Sequence, residues 1–189
     1  IELKPIFLNG TYAIMKSYTK PYASCRYTHP SVEAAIHLRD KVKPEEVEAI
    51  EISTYDLAVS GHDHTEIPGS YSAKMSIPYA TAAGLLYGKA GLQEFTEEAV
   101  RGDRILNLTG KIKVTADDSL SEVFPAVQAA IVKIRTPEGE FTERVDFPKG
   151  EPENPLTEEE FRDRYDGLMA YAGVDPSVSA GIYTTVHSE

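Results

Sequence analysis

Two short segments gather the residue types that could hold a small anion. The first contains Lys20, Cys25, Arg26 and His29 and runs into Thr28-His29-Pro30-Ser31, which reads as a helix start. The second has Lys74 just before Ser76-Ile77-Pro78-Tyr79, another start, with Ser76 placed to cap and Pro78 in the first turn. A helix N-terminus presents free N–H donors and about half a positive charge, which suits carboxylate or phosphate. A lysine or arginine beside it adds charge-assisted hydrogen bonds. If the two starts converge, they form a pocket for a molecule with two or three carboxylates, with Lys20, Arg26, His29, Lys74 and Ser76 around it. Tyr79 stands one turn into the second helix, where its hydroxyl could donate a hydrogen bond or pass a proton. A core position for that ring is the alternative.

Charge distribution supports the same segments. The chain has 30 acidic residues among 189 and a net charge of −11, yet Leu3 to Val32 and Ile67 to Gln93 contain no Asp or Glu. Such stretches can line an anion pocket. They can also simply be buried, since carboxylates are seldom buried without partners. Two other patterns suggest chemistry. Cys25 beside His29 could be a nucleophile in a cationic stretch, although a single cysteine is commonly an apolar filler. His62-Asp63-His64 has the look of a metal-binding pair, but no third ligand at suitable spacing accompanies it, so no metal site is expected.

The elements that would position these groups follow from periodicity. A helix carrying Val32, Ala35 and Ile36 on one stripe is expected to end before Pro44. Alternation at Ile50-Glu51-Ile52-Ser53 predicts a strand from Val47 to about Val59, and Gly61 to Gly69 reads as a surface loop. Ser76 to Gly88 is almost without polar side chains and predicts a buried helix closed by Gly88. Short helices are expected around Leu92–Val100 and Arg104–Leu108. Strands then follow at Lys111–Thr115, Ala129–Thr136 and Glu140–Phe147, the last two joined by a Pro137-Glu138-Gly139 turn. After a Pro/Gly-rich connector, Thr157-Glu158-Glu159-Glu160 is a capping box. The helix it opens shows Phe161, Tyr165, Leu168 and Met169 on one face, a stripe with no obvious partner in the rest of the chain. The fold class is α+β, a mixed or antiparallel sheet with helices packed on it. Domain boundaries are expected at 1–150 for the sheet unit and 151–189 for the connector and C-terminal helical segment.

Composition removes several function classes. Hydrophobic residues at 41% and charged residues at 26% are ordinary globular values. No apolar run is long enough to cross a membrane, no secretory leader pattern is present, and one cysteine cannot form an internal disulfide. A cytoplasmic protein without nucleic-acid or membrane affinity is expected. Glycine-rich nucleotide loops and nucleophile elbows are absent. The first methionine is Met15, so Ile1 is expected to be a cut end.

Three blocks also carry a family resemblance. Lys20-Pro21-Tyr22-Ala23-Ser24-Cys25-Arg26-Tyr27-Thr28-His29-Pro30, Ser72-Ala73-Lys74-Met75-Ser76-Ile77-Pro78-Tyr79-Ala80 and Pro148-Lys149-Gly150-Glu151-Pro152-Glu153-Asn154-Pro155-Leu156-Thr157 resemble, in order, the C-terminal portion of MmgE/PrpD proteins. That family includes 2-methylcitrate dehydratase, cis-aconitate decarboxylase and iminodisuccinate epimerase. The resemblance implies a lid domain closing over an active site, with a large N-terminal helical domain that would carry most of the catalytic acids and bases and would receive the C-terminal helix. It implies a polycarboxylate substrate, a homodimer and no cofactor. By position, Lys20, His29 and Tyr79 look like the lid's catalytic residues, Lys74 fits a basic position, Ser76 caps the helix, and Cys25 stands where some relatives have histidine. The implied reaction is dehydration, with decarboxylation or epimerisation as alternatives and a stand-alone carboxylate-binding module as a further one.

Overall fold

The computed structural model describes residues 12–187. Its centre is a four-stranded mixed sheet in the order β2-β1-β3-β4, built from β1 (Ala49–Thr54), β2 (Ile112–Ala116), β3 (Ala130–Thr136) and β4 (Gly139–Val145). β1 pairs parallel with β2 and antiparallel with β3, and β3 pairs antiparallel with β4. The registers align Ile50 with Ile112 and Ile134, and Ile52 with Val114 and Val132. These residues form the buried face, while Glu51, Lys113 and Arg135 point outward. A side chain buried this way contributes about 1.5–3 kcal/mol, which sets the register, because a one-residue slip would expose the whole row.

The buried face is covered by α1 (His29–Leu38) and α4 (Ile77–Tyr87), which pack on each other. Ala80, Ala83 and Gly84 keep α4 slim, so that Gly84 lies against the Val32 backbone. Ser76 caps α4 by accepting the Tyr79 N–H at 3.1 Å, and Gly88 closes it in the left-handed region at φ +68°. The α+β class and the mixed sheet are as the sequence implies.

Several elements differ from the expected ones. The strand from Val47 stops at Thr54, and α2 (Asp56–Val59) follows, with Tyr55 turned into the core. α1 starts one residue after Thr28 without a side-chain cap; Ser31 Oγ instead donates to the Thr28 carbonyl at 2.9 Å. α3 (Ser70–Met75) follows the loop. The Leu92–Val100 helix is two 3-10 turns, Leu92–Phe95 and Ala99–Arg101, ahead of α5 (Asp103–Thr109). A short α6 (Asp118–Val123) is capped by Asp117. The C-terminal segment is a hairpin of α7 (Glu158–Tyr171), opened by the Thr157–Glu160 capping box, and α8 (Pro176–His187). Tyr165 joins the two by donating to the Ser179 carbonyl at 2.8 Å.

The connector before α7 is a fixed part of the body. Glu33 on α1, nearly sealed from solvent, accepts the Lys149 N–H at 2.5 Å and the Asn154 amide at 3.1 Å. The loop so held brings Gly150 against Thr19, whose N–H donates to the Gly150 carbonyl at 2.9 Å. Gly150 has φ +91°, and a Cβ there would overlap the Thr19 carbonyl oxygen. Gly150→Ala is therefore expected to destabilise the chain by about 3 kcal/mol. Gly167→Ala, in open space inside α7, should instead add about 1 kcal/mol. Urea unfolding measures both, and a Gly150→Ala loss below about 0.5 kcal/mol would contradict this packing.

Candidate functional site

The two acid-free windows do come together, because α1 and α4 are neighbours and the Cys25 N–H donates to the Lys74 carbonyl at 2.8 Å. Their helix starts do not form an anion pocket, which corrects the sequence expectation. At α4 the Ile77 N–H donates to the His62 carbonyl at 2.8 Å, Pro78 has no N–H, and the Tyr79 N–H is taken by Ser76. Ser76 is fully buried and its hydroxyl donates to the His64 carbonyl at 2.6 Å. At α1 a preceding 3-10 turn, Arg26–Thr28, already uses the Thr28 and His29 N–H groups. No amide end is left open for a ligand at the α4 start.

His29 and Tyr79 are both sealed from solvent. His29 Nδ1 accepts from the Tyr18 hydroxyl, and Nε2–H donates to the Ser24 carbonyl at 3.2 Å. Burial drives its pKa down to about 3, with Arg26 and Lys20 adding to the effect, so the ring is a neutral core group. The Tyr79 hydroxyl donates to the Glu94 carbonyl at 2.8 Å, and burial pushes its pKa upward. Arg26, also half-buried or more, is neutralised by Glu151 and lies over the Tyr18 ring at 4.8 Å. His29 thus knits the 18–29 segment together, Arg26 ties it to Glu151, and Tyr79 ties α4 to the turn at Glu94.

Lys20 and Lys74 are different. Lys20 is exposed, and its ammonium donates only to the Ser24 carbonyl, at 3.0 Å. Neither lysine makes an ion pair among the described residues. Between them, through Ser24 and the Cys25–Lys74 backbone bond, lies Cys25. Its thiol is 3.7 Å from His62 Nε2. His62 Nδ1 is 2.9 Å from the Ser60 carbonyl, which can only accept, so Nδ1 carries the proton and Nε2 presents a lone pair to the thiol. The Tyr27 ring meets the imidazole edge-on at 5.1 Å and holds it. The result is a thiol–imidazole pair with an orienting carbonyl, one residue from the Ser24 carbonyl that holds the Lys20 ammonium and joined through its backbone to Lys74. His62 is the functional candidate that sequence reasoning misjudged: it pairs with Cys25 across 37 residues, while His64 turns to Ser72 at 3.1 Å. Among the described residues no group of three His, Cys, Asp or Glu could hold a metal ion.

Lys20 also borders a groove of about 740 Å³ between residues 20–23, the end of α1, residues 88–94 and α7. Its wall sets Glu33, Glu94, Glu160 and Asp163 against Lys20, Lys89, Lys149 and Arg164; Lys89 pairs with Glu94 and Lys149 with Glu160, while Lys20 and Arg164 make no ion pair among the described residues.

Residues 22–178 match the MmgE/PrpD C-terminal domain. The chain belongs to the MmgE/PrpD family. The family is enzymatic, lyase-like in general. The matched span holds Cys25, His62, Lys74 and Tyr79, and Lys20 lies just ahead of it. No curated protein shows significant similarity to the chain. Among the described residues no helix is long and apolar enough to cross a membrane.

The state of His29 has a pH consequence. Its folded pKa is depressed, so below about 6.5 the unfolded chain binds a proton that the folded chain refuses. Stability from this residue should fall as pH drops through that range, by about 1.4 kcal/mol per pH unit, until the folded pKa is reached. His29→Gln should flatten the acid limb of stability measured by urea unfolding between about pH 6 and 4. Equal slopes for both proteins would show that the ring titrates freely.

Proposed function

We propose that this MmgE/PrpD chain is the substrate-covering domain of a cofactor-free lyase acting on a small di- or tricarboxylate, in the manner of 2-methylcitrate dehydratase. It would work together with an N-terminal helical domain, in a homodimer, and have little activity alone. The observation that carries the reading is the Lys20 ammonium, exposed and in no ion pair among the described residues of a strongly acidic chain, its one hydrogen bond going to the Ser24 carbonyl. A carboxylate seated there gains charge-assisted hydrogen bonds from a group that gives up no existing ion pair.

The chemistry follows from that contact. Removing the proton next to a carboxylate places negative charge on the carboxylate oxygens. A lysine ammonium stabilises this charge more strongly than it does the ground state. The electron pair then expels hydroxide from the neighbouring carbon, which leaves with a proton as water. In this reading the helical domain provides the base, and the lid provides cations and excludes solvent when it closes. The apolar residues left exposed on the α7–α8 hairpin, among them Phe161, Leu168, Tyr171 and Ile182, support a helical partner for that segment.

The Cys25–His62 pair favours epimerisation as a second reading. A thiol that can be reprotonated through an imidazole could return a proton to the carbanion from the lid side, inverting the centre without losing water.

The test uses the full-length enzyme and proton NMR in deuterium oxide, with citrate, 2-methylcitrate, cis-aconitate and iminodisuccinate offered in turn. Dehydration yields an alkene, read as a vinylic proton from citrate and as collapse of the methyl doublet to a singlet from 2-methylcitrate, whereas epimerisation yields deuterium at the α-carbon with no alkene. Lys20→Met should lower kcat/KM by about 100-fold with an unchanged circular dichroism spectrum. An unchanged kcat/KM would overturn the assignment.

A further inference from the structure

The backbone around Lys20 is fixed more tightly than an exposed surface segment requires. Thr19 is bonded to Gly150, and Pro21 restricts Lys20 to extended conformations. The Lys20 carbonyl itself accepts from Arg164 Nε at 2.7 Å, a contact spanning 144 residues and coming from α7. Arg164 makes no ion pair with a carboxylate among the described residues, so that carbonyl is its partner. One turn earlier on the same helix face, Glu160 binds the Lys149 ammonium at 3.1 Å. Lys149 is the residue whose N–H is held by Glu33. Two contacts four residues apart therefore dock α7 on the loop beside Lys20 and on the Lys20 peptide itself.

We infer that Arg164 is a positioning residue: by holding the carbonyl between Lys20 and Pro21, it sets the direction from which the Lys20 ammonium meets the substrate. The inference rests on the reading above that Lys20 contacts substrate. It adds that the C-terminal hairpin tunes the lid lysine, so that the docking state of α7 is felt at the site. A misplacement of about 1 Å can cost up to 100-fold in rate, and loss of one backbone tether should cost a part of that.

A double-mutant cycle in the full-length enzyme tests this, with kcat and KM measured separately. Arg164→Ala should lower kcat/KM about 10-fold when Lys20 is present and by less than about 2-fold in a Lys20→Ala background. Arg164→Lys, which keeps a donor near the carbonyl, should recover most of the loss. If Arg164 only fastened α7 to the body, the loss would be equal in both backgrounds and would follow the melting temperature; that result overturns the inference, as does no loss in the presence of Lys20. If Lys20→Ala alone leaves kcat/KM unchanged, the lyase reading fails first and this inference falls with it. A falling Lys20→Ala value beside an additive Arg164→Ala value rejects only the positioning role.

Discussion

The carboxylate of Glu33 is the contact on which the site's geometry depends. It is buried on α1 and spends its oxygens on a backbone N–H of Lys149 and the side-chain amide of Asn154. Burial raises its pKa, and those two donors, with His37, oppose the rise. Hydrogen bonds to such a group are worth about 1.5–3 kcal/mol each, and removing the acceptor would strand both donors. Through them a loop rich in Pro and Gly, which would otherwise be free, becomes a rigid ledge. Asn154 closes it from inside by donating to the Phe147 carbonyl at 2.9 Å. The ledge then does two things: it brings Gly150 to Thr19, and it offers the Lys149 ammonium to Glu160 on α7.

This explains why blocks distant in sequence act together. The Lys20–Pro30 block is bonded at one end to Gly150 and at its centre to Lys74, while His62 reaches Cys25 from the loop before α3. Most of the polar groups in these blocks are structural. Tyr18, Ser24 and His29 satisfy one another beneath the surface, and Arg26 is matched by Glu151. What remains is small: the Lys20 and Lys74 ammoniums, in no ion pair among the described residues, Arg26 Nη1, buried without a hydrogen-bond partner, and the Cys25–His62 pair. In a protein with eleven excess negative charges, leaving Lys20 without a carboxylate keeps a local potential for an anionic ligand.

Much of the scaffold was legible in the sequence because its signals are local. The alternation at Ile50–Ser53, the Pro137-Glu138-Gly139 turn, the Ser76 cap with Gly88 and the Thr157–Glu160 box each depend on residues within a turn or a strand. The short helices α2, α3 and α6 were missed because they show too few turns for a period to appear; α8 was missed although its Asp175-Pro176 start was readable, with Asp175 accepting the Ser177 N–H at 2.8 Å. At the site, the acid-free windows did mark segments that meet, but burial accounts for much of their neutrality: α1 and α4 are largely core. The expected role of the helix starts failed for a nonlocal reason. Carbonyls of His62 and His64, from another loop, occupy the α4 end. No spacing rule could have paired Cys25 with His62 either, because the loop that brings them together is fixed only by the packed body.

The ledge beside Lys20 is best tested by hydrogen exchange of the folded chain, read amide by amide by NMR. The Thr19, Lys149 and Gly150 N–H groups should be protected and should exchange as one unit. Glu33→Ala should accelerate all three by at least about 10-fold while leaving the β3 amides near their original rates. A Thr19 amide that exchanges at the unprotected rate, or whose protection survives Glu33→Ala, would contradict the account.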